Sequence, residues 1–280
     1  MSSILAVGIA TLDIVNTLAS YPREDEEVRA QAQSRVRGGN ATNTLVILSQ
    51  LGHDCHWAGV LPQGADARIV MDDLERHGVD CTAVLRLPTG TLPTSYICLS
   101  ADTGSRTIVH FRDLPDYDFG AFDQLHPGAH DWIHFEGRAV PELGKMLRKT
   151  RQAGVPCSLE VEKPREGIEA LFDLPDLLLF SRAYVRQRGF ELAPDFLHSR
   201  TWKQPLFLAW GEAGAWCRTA EGEVLQAAAP PVDVVDSLGA GDVFNAAVIH
   251  GMLRKQPLQD VLNQAVRLAS KKCTRQGLGL

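Results

Sequence analysis

Short apolar runs alternate along this chain with longer stretches whose apolar residues recur every three to four positions. That is the pattern of strands and amphipathic helices taken in turn. The runs predict central strands at Leu5–Gly8, His56–Val60, Trp132–Phe135, Cys157–Val161, Leu177–Phe180 and Leu206–Trp210. The periodic stretches predict helices over about Asn40–Leu51, Ala67–His77, Pro141–Ala153, Arg182–Arg188, Gly241–Arg254 and Leu258–Lys272. Such alternation implies an α/β fold with a mostly parallel sheet covered on both faces. Two regions break the rhythm with period-two alternation. One is Glu27–Arg37; the other is Thr94–Leu99 and Arg106–Phe111 flanking Asp102-Thr103-Gly104, a hairpin signal. Strands with one open face do not belong in a doubly covered sheet, so a small projecting β-lid is expected. Extension of the main sheet's edge is the plainer alternative. The valine-rich run Val232–Val235 reads as one more strand end.

A chain of 280 residues, 45 % apolar, has ample material for one domain over residues 1–280, with the lid drawn from segments near 12–36 and 93–111. A net charge of -6 without a Lys/Arg-rich face argues against nucleic-acid partners. The opening run Ile4–Leu12 is short and interrupted by Gly8, so it reads as a buried strand and not as a signal peptide or membrane span. Six scattered cysteines without a C-x-x-C pair fit reduced thiols in a cytoplasmic protein. His53-Asp54-Cys55-His56 has metal-ligating residue types, but it follows Gly52 and fits a helix-to-strand loop.

The chemistry concentrates in Val235-Asp236-Ser237-Leu238-Gly239-Ala240-Gly241-Asp242-Val243-Phe244-Asn245-Ala246. Gly239, Ala240 and Gly241 open a helix, and a small-residue loop there exposes backbone N–H groups at the positive end of the dipole, where an anion can sit. Asp242 could cap that helix, or take a proton from a hydroxyl held beside the anion. Next to the dipole it is expected to be ionised at neutral pH. Arg37-Gly38-Gly39-Asn40-Ala41-Thr42-Asn43 is a second glycine-marked helix start. Asn40 and Asn43 share one face there, and each amide can both donate to and accept from hydroxyls. Asp13 follows the first strand, outside the carboxyl end of the sheet, and could accept from two hydroxyls at once.

The D-[ST]-x-G-A-G-D-x-F-x-[AG] string around Asp242, with Gly-Gly-Asn upstream, resembles the ribokinase-like (PfkB) carbohydrate kinases over nearly the whole chain. Tyr21-Pro22-Arg23-Glu24-Asp25, Gly104-Ser105-Arg106-Thr107-Ile108, Trp132–Arg138, Val161-Glu162-Lys163-Pro164-Arg165 and Lys271-Lys272-Cys273 are similar to the ketohexokinase branch of that family. The resemblance implies a three-layer sandwich with a β-lid, and ATP-dependent phosphorylation of a ketohexose such as fructose at its C1 hydroxyl. It makes Asp242 the base and Gly239, Ala240 and Gly241 the anion hole. Asp13, Gly39, Asn40 and Asn43 would hold the sugar, with Arg106 near sugar or phosphate and Asp25 reaching a neighbouring subunit's sugar in a homodimer joined through the lid. Gly211, Glu212, Gly214, Pro230, Pro231 and Phe244 would surround the adenine.

ATP would come with Mg²⁺, and K⁺ activation occurs among relatives. The N-x-x-E motif that organises Mg²⁺ in many of them is replaced here by Ser181-Arg182-Ala183-Tyr184. No metal ligand is therefore assigned, although Glu160 and Glu162 lie on one side of a strand and could serve. Ribose, 2-keto-3-deoxygluconate or a fructose phosphate are alternative acceptors, and a non-catalytic sugar-binding regulator is an alternative of another kind. A dinucleotide-dependent oxidoreductase is disfavoured, because no full G-x-G-x-x-G follows the first strand.

Overall fold

The computed structural model describes residues 1–279. Among them the strands are β1 (Ser3–Val7), β2 (Thr11–Leu18), β3 (Ala32–Gly38), β4 (Asp54–Ala58), β5 (Val60–Pro62), β6 (Val79–Asp80), β7 (Leu85–Leu87), β8 (Thr94–Ser100), β9 (Arg106–Phe111), β10 (Trp132–Glu136), β11 (Cys157–Val161), β12 (Leu177–Ser181), β13 (Leu206–Ala209), β14 (Ala215–Arg218) and β15 (Val224–Ala227). The helices are α1 (Asn40–Gln50), α2 (Ala65–Arg76), α3 (Phe119–Asp123), α4 (Val140–Gln152), α5 (Arg182–Gln187), α6 (Ala193–His198), α7 (Ala240–Leu253) and α8 (Leu258–Cys273). Nine strands form the main sheet in the order β15-β14-β13-β12-β11-β10-β1-β4-β6. It is parallel from β6 to β13, and β14 and β15 turn back antiparallel at one edge.

Alternation along the strands divides the core into two layers. Ile4 and Ala6 of β1 and Leu177 and Leu179 of β12 face a layer completed by α1, α2, α7 and α8. Leu5, Val7, Leu178 and Phe180 face the opposite layer, completed by α3, α4, α5 and α6. The result is the expected three-layer α/β/α sandwich. Near-continuous apolar runs are what a sheet buried on both faces requires, and all six predicted central strands lie in it.

The segments that break the helix–strand rhythm form a separate four-stranded sheet, β3-β2-β8-β9, so the edge-extension alternative does not hold. β2 and β8 run parallel at its centre, with β3 and β9 antiparallel outside them. Asp13 belongs to this small sheet, three residues into β2, and is not in a loop after β1 as its position in the sequence suggested. Two other readings are corrected. Val232–Val235 is an exposed loop, not a strand end: the sheet has already closed with the β14–β15 hairpin, and Val232, Val234 and Val235 stay at the surface. The period-two segment Glu27–Arg37 is also not one strand: Val28 and Ala30 precede β3, while Ile97 of β8 is already covered within the chain. The exposed large apolar residues of the lid are Tyr96, Val109 and Phe111 on one face and Val36 and Ile108 on the other.

Candidate active site

The adjacent main-sheet strands β1, β10 and β11 end their carboxyl edges together, and the two glycine-marked helix starts converge there. Gly39 precedes α1 with φ 104°, and a Cβ on it would lie 2.8 Å from the Ala10 Cα and collide with the Ile9 carbonyl. Gly239 precedes α7 with φ 78°, a left-handed conformation that favours glycine, and a Cβ there would lie 3.8 Å from Asn43 Nδ2. The two turns are thus in contact although 200 residues apart. Asn43 Nδ2 donates to Asp242 Oδ2 at 2.7 Å. One turn back on α1, Asn40 Nδ2 donates to Glu160 Oε1 at 3.1 Å and Glu162 Oε2 at 3.3 Å. Asn245, one turn into α7, donates to Glu160 Oε1 at 3.0 Å.

Asp13 stands at the root of the lid. Thr11 Oγ1 donates to its Oδ1 at 2.8 Å, and a Cβ on Gly38 would collide with its Oδ2. Ser95 and His110 are its neighbours across the lid, with Ser95 Oγ 3.2 Å from His110 Nδ1. On the rim, Arg106 at the start of β9 donates from Nη1 to Ser237 Oγ at 2.6 Å, bridging the lid and the loop that leads into α7.

Electrostatically the cleft is dominated by buried carboxyls. Burial pushes Asp242 up to about 8, against the Asn43 hydrogen bond, with the charges of Glu136 and Glu162 adding to the rise and Arg37 opposing it. Glu160 is raised well above the ordinary carboxylate range by burial and then by Asp242, Glu136 and Glu162. Asp13 is also raised by burial, with the hydrogen bonds of Thr11 and Ser95 and the charges of Arg37 and His110 acting the other way. The expectation that the helix dipole keeps Asp242 ionised at neutral pH is therefore overturned. A dipole contributes about 0.3–1 kcal/mol to a surface carboxylate, whereas burial beside like charges moves this group by several units.

The same molecule is matched over its full length by a known family. The profile of the pfkB family carbohydrate kinases covers residues 1–280. The chain belongs to that family. This pfkB kinase is 37 % identical to the ketohexokinase of Mus musculus, over 98 % of this chain and 97 % of that protein. It is 24 % identical to the ribokinase of Bacillus subtilis, over 96 % of this chain and 92 % of that protein. The crystal structure of Arabidopsis thaliana ribokinase complexed with ribose and ATP superposes with a TM-score of 0.80 at 20 % identity, covering 99 % of this chain and 94 % of that one. The molecule is accordingly a sugar kinase and an ATP-dependent phosphotransferase.

The remaining candidate residues of the kinase sit farther along the same edge. Gly211 and Glu212 form a 3-10 turn at the end of β13, two strands from β11 and so roughly 10 Å away in the plane of the sheet. Gly214 is pressed against the backbone of Ala227–Ala229, where a Cβ could not fit. Pro230 and Pro231 continue that segment as an exposed loop, and Gln259 of α8 donates to the Gln226 carbonyl at 3.1 Å, so the last helix borders the region. Phe244 is a core side chain beneath the anion-hole helix, T-shaped against Phe207 with ring centroids 6.5 Å apart. Asp25 lies in the exposed turn between β2 and β3, with a left-handed φ of 64°.

Reasoning from the chain alone missed four members of the site. Glu136 at the end of β10 accepts from the Ile9 amide at 2.9 Å and pairs with Arg138. Arg37, Asn245 and Lys272 are the others. Asn245 had a signal, being three residues after Asp242 on the same helix face. Lys272 had only its place in the Lys271-Lys272-Cys273 string: its side chain is fully buried, with Nζ 2.7 Å from the Asp236 carbonyl oxygen and 2.9 Å from Asp236 Oδ2. Asp236 Oδ1 in turn accepts from the Leu238 amide at 2.8 Å, so the last helix anchors the loop leading into Gly239 and α7.

Proposed function

We propose that this kinase phosphorylates a ketohexose such as fructose at its C1 hydroxyl, with Asp242 as base. The observation that carries the reading is the contact between the two glycine turns. Asn43 holds Oδ2 of Asp242, and the amides of Gly239, Ala240 and Gly241, in the turn just before it, would bind the transferring phosphoryl group. Asp13, Gly39, Asn40 and Asn43 line the adjoining wall and would bind the sugar hydroxyls. The similarity to a mouse ketohexokinase supports the ketose assignment. A fructose phosphate fits less well, because a substrate phosphate calls for free cations. Arg138 is paired with Glu136, which leaves Arg106, held at the rim only by the neutral Ser237 hydroxyl.

Phosphoryl transfer has a loose transition state, so positioning and charge stabilisation dominate. The loop amides would meet that need, the Ala240 N–H exchanging its 3.3 Å bond to the Ser237 carbonyl for a phosphoryl oxygen. A base with a pKa near the working pH is better matched to the hydroxyl proton than an ordinary aspartate. The carboxylate surplus of the cleft also fits a divalent cation: Glu160 Oε2 is buried without a partner, and Glu160 and Glu162 would hold Mg²⁺, through water or directly. Bound there with ATP, the cation would offset the charge on the phosphates. Gly211, Glu212, Gly214, Pro230 and Pro231 would form the nucleotide pocket, with Phe244 as its floor. The lid would exclude water and, with Tyr96, Val109, Phe111, Val36 and Ile108 needing cover, join a second copy into a homodimer in which Asp25 reaches the partner's sugar.

The test is ATP-dependent ADP release across a panel of ketoses, aldoses and sugar phosphates, with the product's position read by ³¹P–¹H NMR. Fructose is expected to give the highest kcat/KM and a C1 phosphate. Preference for ribose or for a phosphorylated sugar would overturn the assignment. A cytoplasmic setting accords with the scattered cysteines; among the described residues, no helix is long and apolar enough to cross a membrane.

A further inference from the structure

We propose that Arg37 is the positioning residue for the transfer step, fixing the Asn43 amide so that its N–H faces Asp242 and thereby tying the root of the lid to the base. This rests on the kinase reading above. Arg37 is the penultimate residue of β3 and pairs with Leu12 across the lid sheet. Its guanidinium is buried between two helices. Nη1 donates to Asn43 Oδ1 at 2.6 Å and to Thr42 Oγ1 at 3.2 Å, both on α1, while Nε donates to Asp73 Oδ2 of α2 at 2.7 Å. The Thr42 hydroxyl passes its own proton to the Gly38 carbonyl at 2.9 Å, which leaves its oxygen free to accept from Arg37.

An amide has one acceptor end and one donor end. With Oδ1 of Asn43 taken by the guanidinium, only the NH₂ end can meet Asp242, and it does so at 2.7 Å. Without Arg37 the amide is free to turn its carbonyl toward the carboxylate, which an ionised base would repel. The relay therefore keeps a donor against Asp242 Oδ2, leaving the other carboxylate oxygen to take the hydroxyl proton.

Charge works in the same direction. Asp242 faces Glu136 from β10, and Glu160 and Glu162 from β11 and the residue beyond it. Arg37 stands against these, and it also faces Asp13 of β2, beside which lies His110 of β9. Asp73 balances Arg37 from outside and is itself shared with Arg76 and His77. Movement at the base of the lid is transmitted to the base through two hydrogen bonds.

Full-length Arg37→Met and Arg37→Lys are compared with wild type, whose sugar-dependent ADP release first establishes the kinase reading on its own. kcat and KM are measured from pH 6 to 9.5, and thermal unfolding without substrates is followed over the same range. Arg37→Met is expected to lower kcat about 10²-fold, the scale of an ångström-size misplacement, with the KM for ATP held. Its ascending pH limb should move to higher pH, and so should the pH at which unfolding stops responding to the Asp242 proton. Arg37→Lys keeps the charge and so is expected to fold and to restore the pH limb. Its kcat should stay low, because an ammonium has no fork to grip the amide. A uniform kcat loss in Arg37→Met with both pH responses unmoved would overturn the proposal, as would full rate in Arg37→Lys.

Discussion

The proton held by Asp242 costs the folded protein stability as the pH rises, and this can be measured without any substrate. Its carboxyl is raised from an ordinary 3.8 to about 8, so the folded chain holds a proton that the unfolded chain has lost throughout that window. Stability must fall as pH climbs from about 4 to 8 and level off above, because the unfolded state binds fewer protons. The full shift corresponds to about 6 kcal/mol at the alkaline end, an upper limit because Glu160 titrates with it. Asp242→Asn removes the titration and can keep the Asn43 bond through its carbonyl. It should therefore recover up to about 5 kcal/mol at pH 8, a rise in Tm of up to about 9 °C for a chain of this size, and no more than about 2 kcal/mol at pH 5. Differential scanning fluorimetry of both proteins from pH 5 to 9 measures the difference. In parallel, Asp242→Asn should lose about 10²–10⁴-fold in kcat while still binding ATP by calorimetry. Identical dependence of Tm on pH in the two proteins would refute the buried-proton argument, and near-normal turnover would refute the base.

Other substitutions separate the parts of the site. Gly38→Ala places a methyl against the Asp13 carboxylate, so the KM for sugar should rise about tenfold or more, by the lost hydrogen bonds to a charged group, with the KM for ATP unchanged; an equal rise in both would count against Asp13 as a sugar ligand. Lys272→Met strands Asp236 without its buried cation, and a loss of about 3 kcal/mol or more in urea unfolding is expected, with lower kcat as the anion-hole loop loosens; unaltered kcat would detach the loop from α8. Mixing inactive Asp25→Asn and Asp242→Asn subunits should restore activity, because one site of each mixed dimer would then hold both intact residues. No recovery after subunit exchange, or a monomer in sedimentation velocity, would leave Asp25 without its role.

Legibility in the sequence followed the range of the interactions involved. Strands β1, β10, β11, β12 and β13 could be read because burial on both faces makes them continuous apolar runs. β14 and β15 escaped because in a short hairpin at a sheet edge Arg218 and Gln226 cut the apolar runs to two or three residues. Val232–Val235 misled for the opposite reason: β-branched residues fit a strand, but pairing is decided by which edge is free. Gly39 and Gly239 were legible because each needs a backbone conformation that favours glycine, a local demand written in one residue.

What no local pattern carries is the meeting of charges from separate strands. Glu136 ends β10, Glu160 lies on β11, and Asp242 opens α7; each by itself reads as a strand-end or helix-start carboxyl. Only the sheet order, which sets β10 beside β11 under the start of α7, brings them together, and their mutual repulsion with burial then outweighs the dipole that the sequence placed beside Asp242. The same order explains why Asn40, Asn43 and Asn245 are amides. A neutral donor can satisfy a buried carboxyl in either protonation state, whereas a lysine there would hold the site permanently ionised and an apolar residue would leave its oxygens without partners. A kinase whose base must exchange its proton during each turnover is better served by amide neighbours, with the compensating cation set one residue back, at Arg37.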